Sequence, residues 1–442
     1  MRHQPLAEAP SPTEVMRARA HDLIPGGCHT YAKGDDQFPA IAPAFIARGS
    51  GAHVWDVEGR EYIEYGMGLR AVTLGHAHPR VVEAASAQLQ HGSNFTRPAP
   101  LEADCAEALL GIIRRGEQVK FAKDGSTVLT AAVKLARAVT GRAMVAVCAD
   151  HPFFSSDDWF IGTTAMPRGI PDEVRSLTCT YRYNDLVSVA AMFDANPGAI
   201  AAVVLEAART EEPAPGFLEG LQVLCRRHGA LVILDEMITG FRWHLRGAQH
   251  VYDIRPDLSA FGKALSNGFA VSALVGRREI MRLGGIDHDE ERVFLLSTTH
   301  GAELHALAAM RATLQVYEEE PVVETLYRQG ARLREGVEAA ARELGLERYF
   351  GVLGRDCNLV FFTRDATGAP SQPFRTLFMQ ELCRRGILAP SFVVSYAHGN
   401  AEIDATVAAT REALRVYGRA LEDGPERFLI GPSVKPVFRP FA

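Results

Sequence analysis

Short runs of apolar residues alternate with helical patterns through the middle of the chain. Residues 143–148, 199–207 and 230–236 are apolar at almost every position, which is typical of strands buried on both faces of a sheet. Between the last two runs, residues 216–229 place apolar side chains at helical spacing. Strand, helix and strand in this order predict a right-handed crossover between parallel strands, and hence an α/β fold.

The patterns differ towards both ends of the chain. Residues 5–12 are rich in Pro and Ala and predict a loose arm, whereas residues 52–65 alternate around a Glu-Gly-Arg turn and predict a small hairpin. A helix is predicted over 79–92, because Pro opens the segment and Gly closes it. After about Val316, long helical patterns surround a single strand. These segments therefore differ from the alternating pattern of the middle.

Length and composition are those of a globular protein with more than one domain. The chain has 442 residues, of which 47% are hydrophobic and 23% charged. We expect residues 1–75 to form an N-terminal arm and part of a small domain, 76–315 a large domain, and 316–442 the rest of the small domain. The expected architecture is a large domain with a mostly parallel sheet flanked by helices, plus a smaller α+β domain.

Charge and cysteine usage narrow the classes of partner. The 47 Lys and Arg against 53 Asp and Glu give a net charge of −6 without a basic block, so a nucleic acid is not expected as partner. Seven scattered cysteines without a C-x-x-C pair predict neither a disulfide framework nor a metal site. No run approaches the roughly 18 apolar residues of a membrane span, and the first residues do not resemble a secretory signal. We therefore expect a cytoplasmic protein that does not associate with membranes.

Two predicted loops place anion-binding or acidic side chains at the edge of the sheet where ligands of parallel sheets bind. Gly125, Ser126 and Thr127 precede a strong helix pattern and offer backbone N–H groups and hydroxyls to an anion. An ordinary Ser/Thr helix cap has the same pattern. Asp235 follows five apolar residues, where a carboxylate requires a cationic partner or caps the following turn.

Lys263 lies in a third loop, between two apolar runs and among glycine, serine and asparagine. Burial there disfavours the ammonium form, and a neutral amine can form a Schiff base. A surface lysine in a turn is the alternative interpretation. Taken together, a phosphate site, a carboxylate for a ring nitrogen and an imine-forming lysine are the groups that pyridoxal phosphate (PLP) requires.

The same segments resemble those of the class III, fold-type I PLP-dependent aminotransferases, and among them the glutamate-1-semialdehyde aminomutases. The resemblance extends from about Pro25 to about Leu414. LDEMITGFRW is similar to the family's DEV-x-TGFR segment, which implies that Asp235 lies under the pyridine nitrogen and Met237 against the ring face. FGKALSNGF is similar to the family's lysine segment, which implies that Lys263 forms the internal aldimine.

The resemblance implies further cofactor-binding residues. KDGSTV stands where NSGTEA is usual in the phosphate loop, so Gly125 and Ser126 are expected to hold the phosphate. Phe153 is expected to stack on the cofactor ring, and Glu206 corresponds to the Glu of the family's V-E-P strand end. Thr298 falls where the neighbouring subunit supplies a Thr to the phosphate, which implies a homodimer with shared active sites.

Three segments expected to contact the substrate depart from the aminomutase pattern. Lys33 stands where the aminomutases have an Arg, and lysine cannot make the bidentate fork to a carboxylate. GLR replaces Ser-Trp-Gly and adds Arg70, and APSFVVSYAH has no counterpart of the gating Glu in the aminomutases. Lys33 and Arg70 are therefore expected either to bind an anionic group of a substrate or to be solvated charges. Residues 151–154, from His151 to Phe154, and Tyr31 are expected to shape the pocket.

The leading hypothesis is a PLP-dependent aminotransferase that moves an amino group from a small-molecule donor to an aldehyde or ketone acceptor. Lys263 carries the reacting amine and Asp235 sustains the electron-withdrawing ring. The alternative is an aminomutase, which moves the amino group within one molecule. Two hypotheses of other classes are a protein of this fold without turnover and a nicotinamide-dependent dehydrogenase, for which the G-x-G-x-x-G fingerprint is missing.

Overall fold

The computed structural model describes residues 11–441, so most of the expected N-terminal arm lies outside the described residues. The expectation of a loose arm is wrong at its end, because Ser11 and Pro12 begin helix α1 (Pro12–Leu23). The Ser11 hydroxyl accepts a hydrogen bond from the Glu14 N–H, and the Glu14 carboxylate accepts one from the Ser11 N–H. This capping box stabilises the first turn of the helix.

Strands and helices follow one another through the described chain. The strands are β1 (Ile46–Ser50), β2 (His53–Asp56), β3 (Glu61–Glu64), β4 (Gln118–Ala122), β5 (Met144–Cys148), β6 (Thr178–Tyr181), β7 (Ile200–Glu206), β8 (Leu231–Asp235), β9 (Leu258–Phe261), β10 (Ser272–Gly276), β11 (Phe350–Leu353), β12 (Val360–Thr363) and β13 (Ile387–Leu388). The helices after α1 are α2 (Met67–Arg70), α3 (Pro79–His91), α4 (Pro100–Ile113), α5 (Gly125–Thr140), α6 (Asp158–Ile161), α7 (Asp172–Arg175), α8 (Leu186–Ala195), α9 (Phe217–His228), α10 (Ala248–Val251), α11 (Arg278–Met281), α12 (Leu304–Glu319), α13 (Val322–Glu343), α14 (Gln372–Cys383) and α15 (Asn400–Asp423).

A seven-stranded sheet lies at the centre, in the order β4-β10-β9-β8-β7-β5-β6. The strands from β9 to β6 run parallel, and β10 is antiparallel to both β9 and β4. The three apolar runs of the sequence are β5, β7 and β8, and every residue of β7 is buried. The predicted α/β fold with a mostly parallel sheet is confirmed.

Helices cover both faces of this sheet. Because side chains of a strand point alternately to the two faces, neighbouring residues of β7 enter different cores. Val204 packs in the core that contains Leu129 of α5, whereas Val203 packs in the core that contains Leu221 of α9. Helix α9 joins β7 to β8, as the sequence pattern predicts. The carboxyl ends of the parallel strands therefore lie at one edge of a sheet that is covered on both faces.

The two ends of the chain meet in a second, four-stranded sheet of order β1-β2-β3-β13. Strands β2 and β3 form the predicted hairpin, and β13 pairs in parallel with β3, with Ile387 opposite Ile63. Helices α13, α14 and α15 pack around β11 and β12, which confirms the predicted smaller α+β domain. Helix α12 continues past residue 315, where a domain boundary is expected, and ends at Glu319.

Candidate active site

Three titratable side chains lie at the carboxyl ends of three neighbouring parallel strands. Glu206 and Asp235 are the last residues of β7 and β8 and are paired in register. Lys263 comes two residues after β9, whose Ala260 is paired with Asp235. The sheet therefore places two carboxylates and one amine at the edge where ligands of parallel sheets bind.

These three groups shift one another's pKa values, but burial has the largest effect on each. Burial, reinforced by the Glu206 charge, raises the pKa of Asp235 from 3.8 to about 7. Burial also raises the pKa of Glu206 and lowers that of Lys263, in each case against the attraction of the opposite charges. Since the neutral amine is the nucleophile, the lowered pKa favours a reactive Lys263.

The Asp235 carboxylate has one oxygen engaged and one available. Its Oδ1 accepts the Met237 N–H at 2.8 Å, so the capping interpretation of Asp235 is correct for this oxygen. Within residues 11–441, its Oδ2 accepts no hydrogen bond. The neighbouring Glu236 points elsewhere and accepts the N–H groups of Ala248 and Gln249 at 2.9 and 2.8 Å. A buried carboxylate oxygen thus remains for a cationic N–H donor of a ligand.

Met237 lies between two glycines that come from different loops. A Cβ on Gly125 would lie 2.9 Å from Met237 Sδ, and one on Gly262 would lie 2.6 Å from the same atom. A side chain at either position would require Met237 to move, so Met237 packs against both the loop before α5 and the loop that carries Lys263. Lys263 itself has φ +47°, a left-handed conformation that costs energy for a lysine and is common at functional sites.

The loop before α5 is partly a helix cap and partly free. Asp124 accepts the Thr127 N–H at 2.8 Å and the Thr127 hydroxyl at 2.9 Å, so the capping interpretation is correct for Thr127. The Ser126 hydroxyl accepts the Ser156 N–H at 3.0 Å and can still donate its own proton. Within the described chain, the N–H groups of Gly125 and Ser126 have no acceptor, so they are free to bind an anion.

A strained turn carries Arg70 into the same cleft. Met67, Leu69 and Arg70 all have left-handed backbones, with φ of +43°, +58° and +73°. Both carboxylate oxygens of Glu64 accept the Met67 N–H, and Arg242, which is fully buried, donates to the Arg70 carbonyl at 3.0 Å. Consecutive left-handed residues persist only where their surroundings hold them. Repulsion from Arg70 further lowers the pKa of Lys263, which places its charge near the amine.

Comparison with known proteins identifies the family. Residues 30–347 match the family Aminotransferase class-III. The chain belongs to this family. A glutamate-1-semialdehyde 2,1-aminomutase from Roseiflexus castenholzii is 36% identical, with 93% of this chain and 99% of the relative covered. A second one, from Desulfitobacterium hafniense, is 34% identical over 91% of this chain and 97% of its own.

Solved structures agree with this class III assignment. The FumI protein of Sphingopyxis sp. MTA144, in its PLP internal aldimine form, superposes with a TM-score of 0.85 at 28% identity, covering 95% of this chain and 99% of its own. An omega-transaminase from Sphaerobacter thermophilus superposes with a TM-score of 0.83 at 27% identity, covering 93% and 99%. The protein is thus a PLP-dependent enzyme of the aminotransferase type.

The residues of this class III aminotransferase fit PLP. The free Asp235 oxygen suits a protonated ring nitrogen, the Lys263 amine suits an aldehyde, and the free N–H groups of Gly125 and Ser126 suit a phosphate. Met237 is nine-tenths buried and lies beside the same loops, as its expected place against the ring requires. Between residues 11 and 441, no helix is long and apolar enough to cross a membrane.

Four of the residues expected from the sequence have exposed side chains. Tyr31 is 66% exposed, and Lys33 is exposed and lines a cavity of about 870 Å³ that also borders Leu69. Phe153 is 44% exposed, with its ring near Phe438, and Thr298 is exposed on the segment that leads to α12. Their roles in binding substrate or cofactor stay predictions.

Two residues of the site, Arg242 and Arg209, are missing from the sequence-based set, and His151 is expected there only to shape the pocket. Arg242 lies within the TGFRW segment that identified Asp235, so the same motif could have indicated it. The His151 ring nitrogen Nδ1 accepts the Glu206 N–H at 3.2 Å, and burial lowers the pKa of His151 to about 3, so its imidazole is neutral. Arg209 has its Nε 3.3 Å from Glu206 Oε2, and the only signal for it is a cation three residues after a strand-end carboxylate.

Proposed function

We propose that this class III aminotransferase moves an amino group from a separate amino donor to an aldehyde or ketone acceptor. The observation that carries the proposal is the meeting of Lys263, Asp235 and Glu206 at the ends of three adjacent strands. Arg70 lies close enough to this meeting point to lower the pKa of Lys263, and it is one of the residues that distinguish the chain from the aminomutase pattern.

The roles follow from the chemistry of each group. When bound, PLP supplies an aldehyde that condenses with amines and a ring that draws electrons from the substrate's Cα. Lys263 moves the proton at Cα as general base and general acid, because its lowered pKa keeps a neutral amine accessible. The Asp235 carboxylate holds the ring nitrogen protonated. Gly125 and Ser126 bind the phosphate, and Phe153 and Met237 contact the ring.

The segment 389–398 supports transfer between two molecules. It corresponds to the segment that carries a gating Glu in the aminomutase pattern, and here it has no Glu. The side chains of Phe392, Val393 and Val394 are fully buried. Its backbone is fixed as well, since the Phe392 N–H donates to the Leu359 carbonyl and Arg242 donates to the Val394 carbonyl. A packed segment without a carboxylate is a poor gate for retaining an intermediate.

A donor screen tests the proposal. Purified holoenzyme is mixed with a panel of amines and amino acids without acceptor, and the cofactor spectrum and the oxo product are followed. We expect one equivalent of the donor's oxo product per active site, and no such product from Lys263→Ala, which lacks the reacting amine. Full transamination by Lys263→Ala would overturn the proposal.

The aminomutase alternative has one specific observation in its favour, namely the names of the relatives at 36% and 34% identity. An aminomutase returns the amino group to the same molecule, so it releases no oxo acid from a separate donor. With glutamate-1-semialdehyde as sole substrate, rearrangement at a rate above that of transfer between any two molecules would favour this alternative.

We also propose a homodimer in which Thr298 of the partner subunit contacts the phosphate. The exposure of Thr298 on the segment that leads to α12 supports this arrangement. We expect a dimer by sedimentation, and Thr298→Ala should weaken PLP binding about tenfold, the loss of about one hydrogen bond to a charged group. A monomer with full activity at the assay concentration would contradict the shared site.

Lys33 and Tyr31 are proposed as substrate residues at the entrance of the cleft. Lys33 lines the same cavity as Leu69, the neighbour of Arg70 in the strained turn. Lys33→Ala is therefore expected to raise the KM for an anionic substrate and to leave PLP binding unchanged. An unchanged KM would assign Lys33 to the solvated surface.

A further inference from the structure

Two guanidinium groups flank the cleft, and one of them belongs to a residue that the sequence did not indicate. Arg209 follows β7, and its Nε lies 3.3 Å from Glu206 Oε2. The Arg209 side chain is 31% exposed, whereas that of Glu206 is 5% exposed. Glu206 therefore fixes the position of Arg209 from within the site, while the rest of the guanidinium faces open space.

The loop of residues 354–358 binds Arg70 and passes near the backbone of Arg209. Asn358 Oδ1 accepts the Arg70 Nε–H at 2.9 Å. A Cβ on Gly354, in the same loop, would lie 2.9 Å from the Asn358 carbonyl and 3.7 Å from the Arg209 carbonyl. Burial first, and then repulsion from Arg242 and Arg209, lower the pKa of Arg70 to about 10. The charges of Arg70 and Arg209 are therefore close enough to repel each other.

Most N–H donors of both guanidinium groups have no protein acceptor. Each guanidinium has five N–H groups. The Arg70 Nε–H is hydrogen-bonded, whereas the Arg209 Nε lies at ion-pair distance from Glu206 Oε2, which accepts no hydrogen bond within residues 11–441. Within residues 11–441, Arg70 has no carboxylate partner and Arg209 has only Glu206. Burying a cation without a counterion costs free energy, and a bound anion would offset this cost by pairing with the guanidinium groups.

The charges of the cleft leave one cation in excess. Glu206 pairs with Arg209, and Asp235 is assigned to the cofactor's ring nitrogen. Lys263 is assigned to the cofactor's aldehyde. Arg70 then has no counterion among these groups. A substrate with one carboxylate would supply it, and a planar carboxylate matches the fork of a guanidinium.

We propose that Arg70 and Arg209 together bind a carboxylate of the substrate, so that the substrates are amino acids and oxo acids rather than uncharged amines. This inference rests on the proposed aminotransferase function. Arg70 supplies the main charge and Arg209 supplies a second set of donors. Glu206 is the positioning residue that orients Arg209.

The test compares an amino acid with its neutral amide in the donor half-reaction of the holoenzyme. The best amino acid donor from the screen is used with the amide of the same compound, so that only the carboxylate charge differs. We expect Arg209→Gln to lower kcat/KM for the amino acid about tenfold to a hundredfold, and for the amide less than about threefold. Arg209→Lys, which keeps the charge but not the fork, should recover part of the loss.

Three controls make the result interpretable. Arg182→Gln removes an arginine whose side chain is 74% exposed, and it should leave both rates unchanged. The PLP dissociation constant of Arg209→Gln should equal that of the wild type, which separates substrate binding from cofactor binding. The double variant Glu206→Gln/Arg209→Gln, in which the Glu206 carboxylate is also removed, should show the same selective loss of kcat/KM for the amino acid as Arg209→Gln.

The outcomes separate this inference from the function on which it rests. If the wild type converts no amine, the aminotransferase proposal fails. If the wild type converts the amino acid and its amide with equal kcat/KM, or if Arg209→Gln lowers both equally, the carboxylate receptor is wrong while the aminotransferase function stands. An unreactive monocarboxylate that inhibits the wild type and Arg209→Gln equally would also overturn it.

Discussion

Replacing Gly330 by Ala should destabilise the protein, although Gly to Ala normally strengthens a helix. Gly330 lies in the interior of α13 and is nine-tenths buried against the 3₁₀ turn Asp356–Asn358. A Cβ at this position would overlap the Asp356 carbonyl oxygen and lie 3.1 Å from the Asp356 Cα. Because these atoms belong to the backbone, a rotamer change cannot relieve the clash.

Two opposing effects set the magnitude. An unobstructed Gly to Ala change in a helix interior stabilises by about 0.5–1 kcal/mol. Overpacking of a close contact costs about 1–3 kcal/mol, and a clash with backbone lies at the upper end. We therefore expect Gly330→Ala to lower the free energy of unfolding by about 1–2 kcal/mol, measured by urea unfolding of the holoenzyme.

Gly111→Ala is the matched control. Gly111 lies in α4, and a Cβ there would have no neighbouring atom within 4 Å. This variant should be more stable than the wild type, so the two substitutions should shift the urea midpoint in opposite directions. A gain of stability in both variants would refute the packing argument.

The same substitution should also affect the site. The displaced turn ends at Asn358, whose side chain accepts a hydrogen bond from Arg70. We expect Gly330→Ala to raise the KM for the carboxylated donor without changing the PLP dissociation constant. An unchanged KM in a destabilised protein would mean that Arg70 does not depend on this turn.

Three further predictions concern charge. The pKa of Asp235 is raised from 3.8 to about 7, so the folded apoenzyme binds the proton more tightly than the unfolded chain and loses stability as the pH rises through this interval. The apo Asp235→Asn variant should therefore be more stable than the wild type at about pH 8. This difference, measured by urea unfolding, should vanish near pH 4. Burial lowers the pKa of His398 from 6.5 to about 3, so the folded protein loses stability as the pH falls below 6.5. The His398→Asn variant, whose side-chain oxygen can accept the Ser395 N–H, should reduce this loss between about pH 6 and pH 4. If the dependence of unfolding free energy on pH is unchanged in the variant, His398 is not the source of the loss. Asp124→Ser removes a negative charge beside the free N–H groups of the phosphate loop. This variant should lower the PLP dissociation constant about tenfold, which corresponds to about 1.4 kcal/mol, in absorbance titrations of the apoenzyme. Unchanged or weaker binding would contradict this prediction.

The amino-acid sequence by itself determined the main elements and the residues that are expected to bind the cofactor. Strands β5, β7 and β8 can be predicted from the sequence because a strand buried on both faces must be apolar at nearly every position. Asp235 and Lys263 can be predicted because each is a charged residue at the end of an apolar run, and because the local sequence around each resembles a family motif. The capping box that begins α1 was equally local, yet the Pro-rich composition around it led to the wrong expectation of a loose arm.

Only the tertiary structure decided which charges share the cleft. Glu206 and Asp235 are neighbours because β7 and β8 pair in register. Arg70 joins them through a left-handed turn that Glu64 holds locally and Arg242 holds from a distant part of the chain. Gly330 became informative for the same reason, since the Asp356 turn against which it packs comes from a different part of the chain. Burial and the distance between charges depend on how the whole chain packs, so neither the shifted pKa values nor the unpaired guanidinium groups can be derived from local pattern.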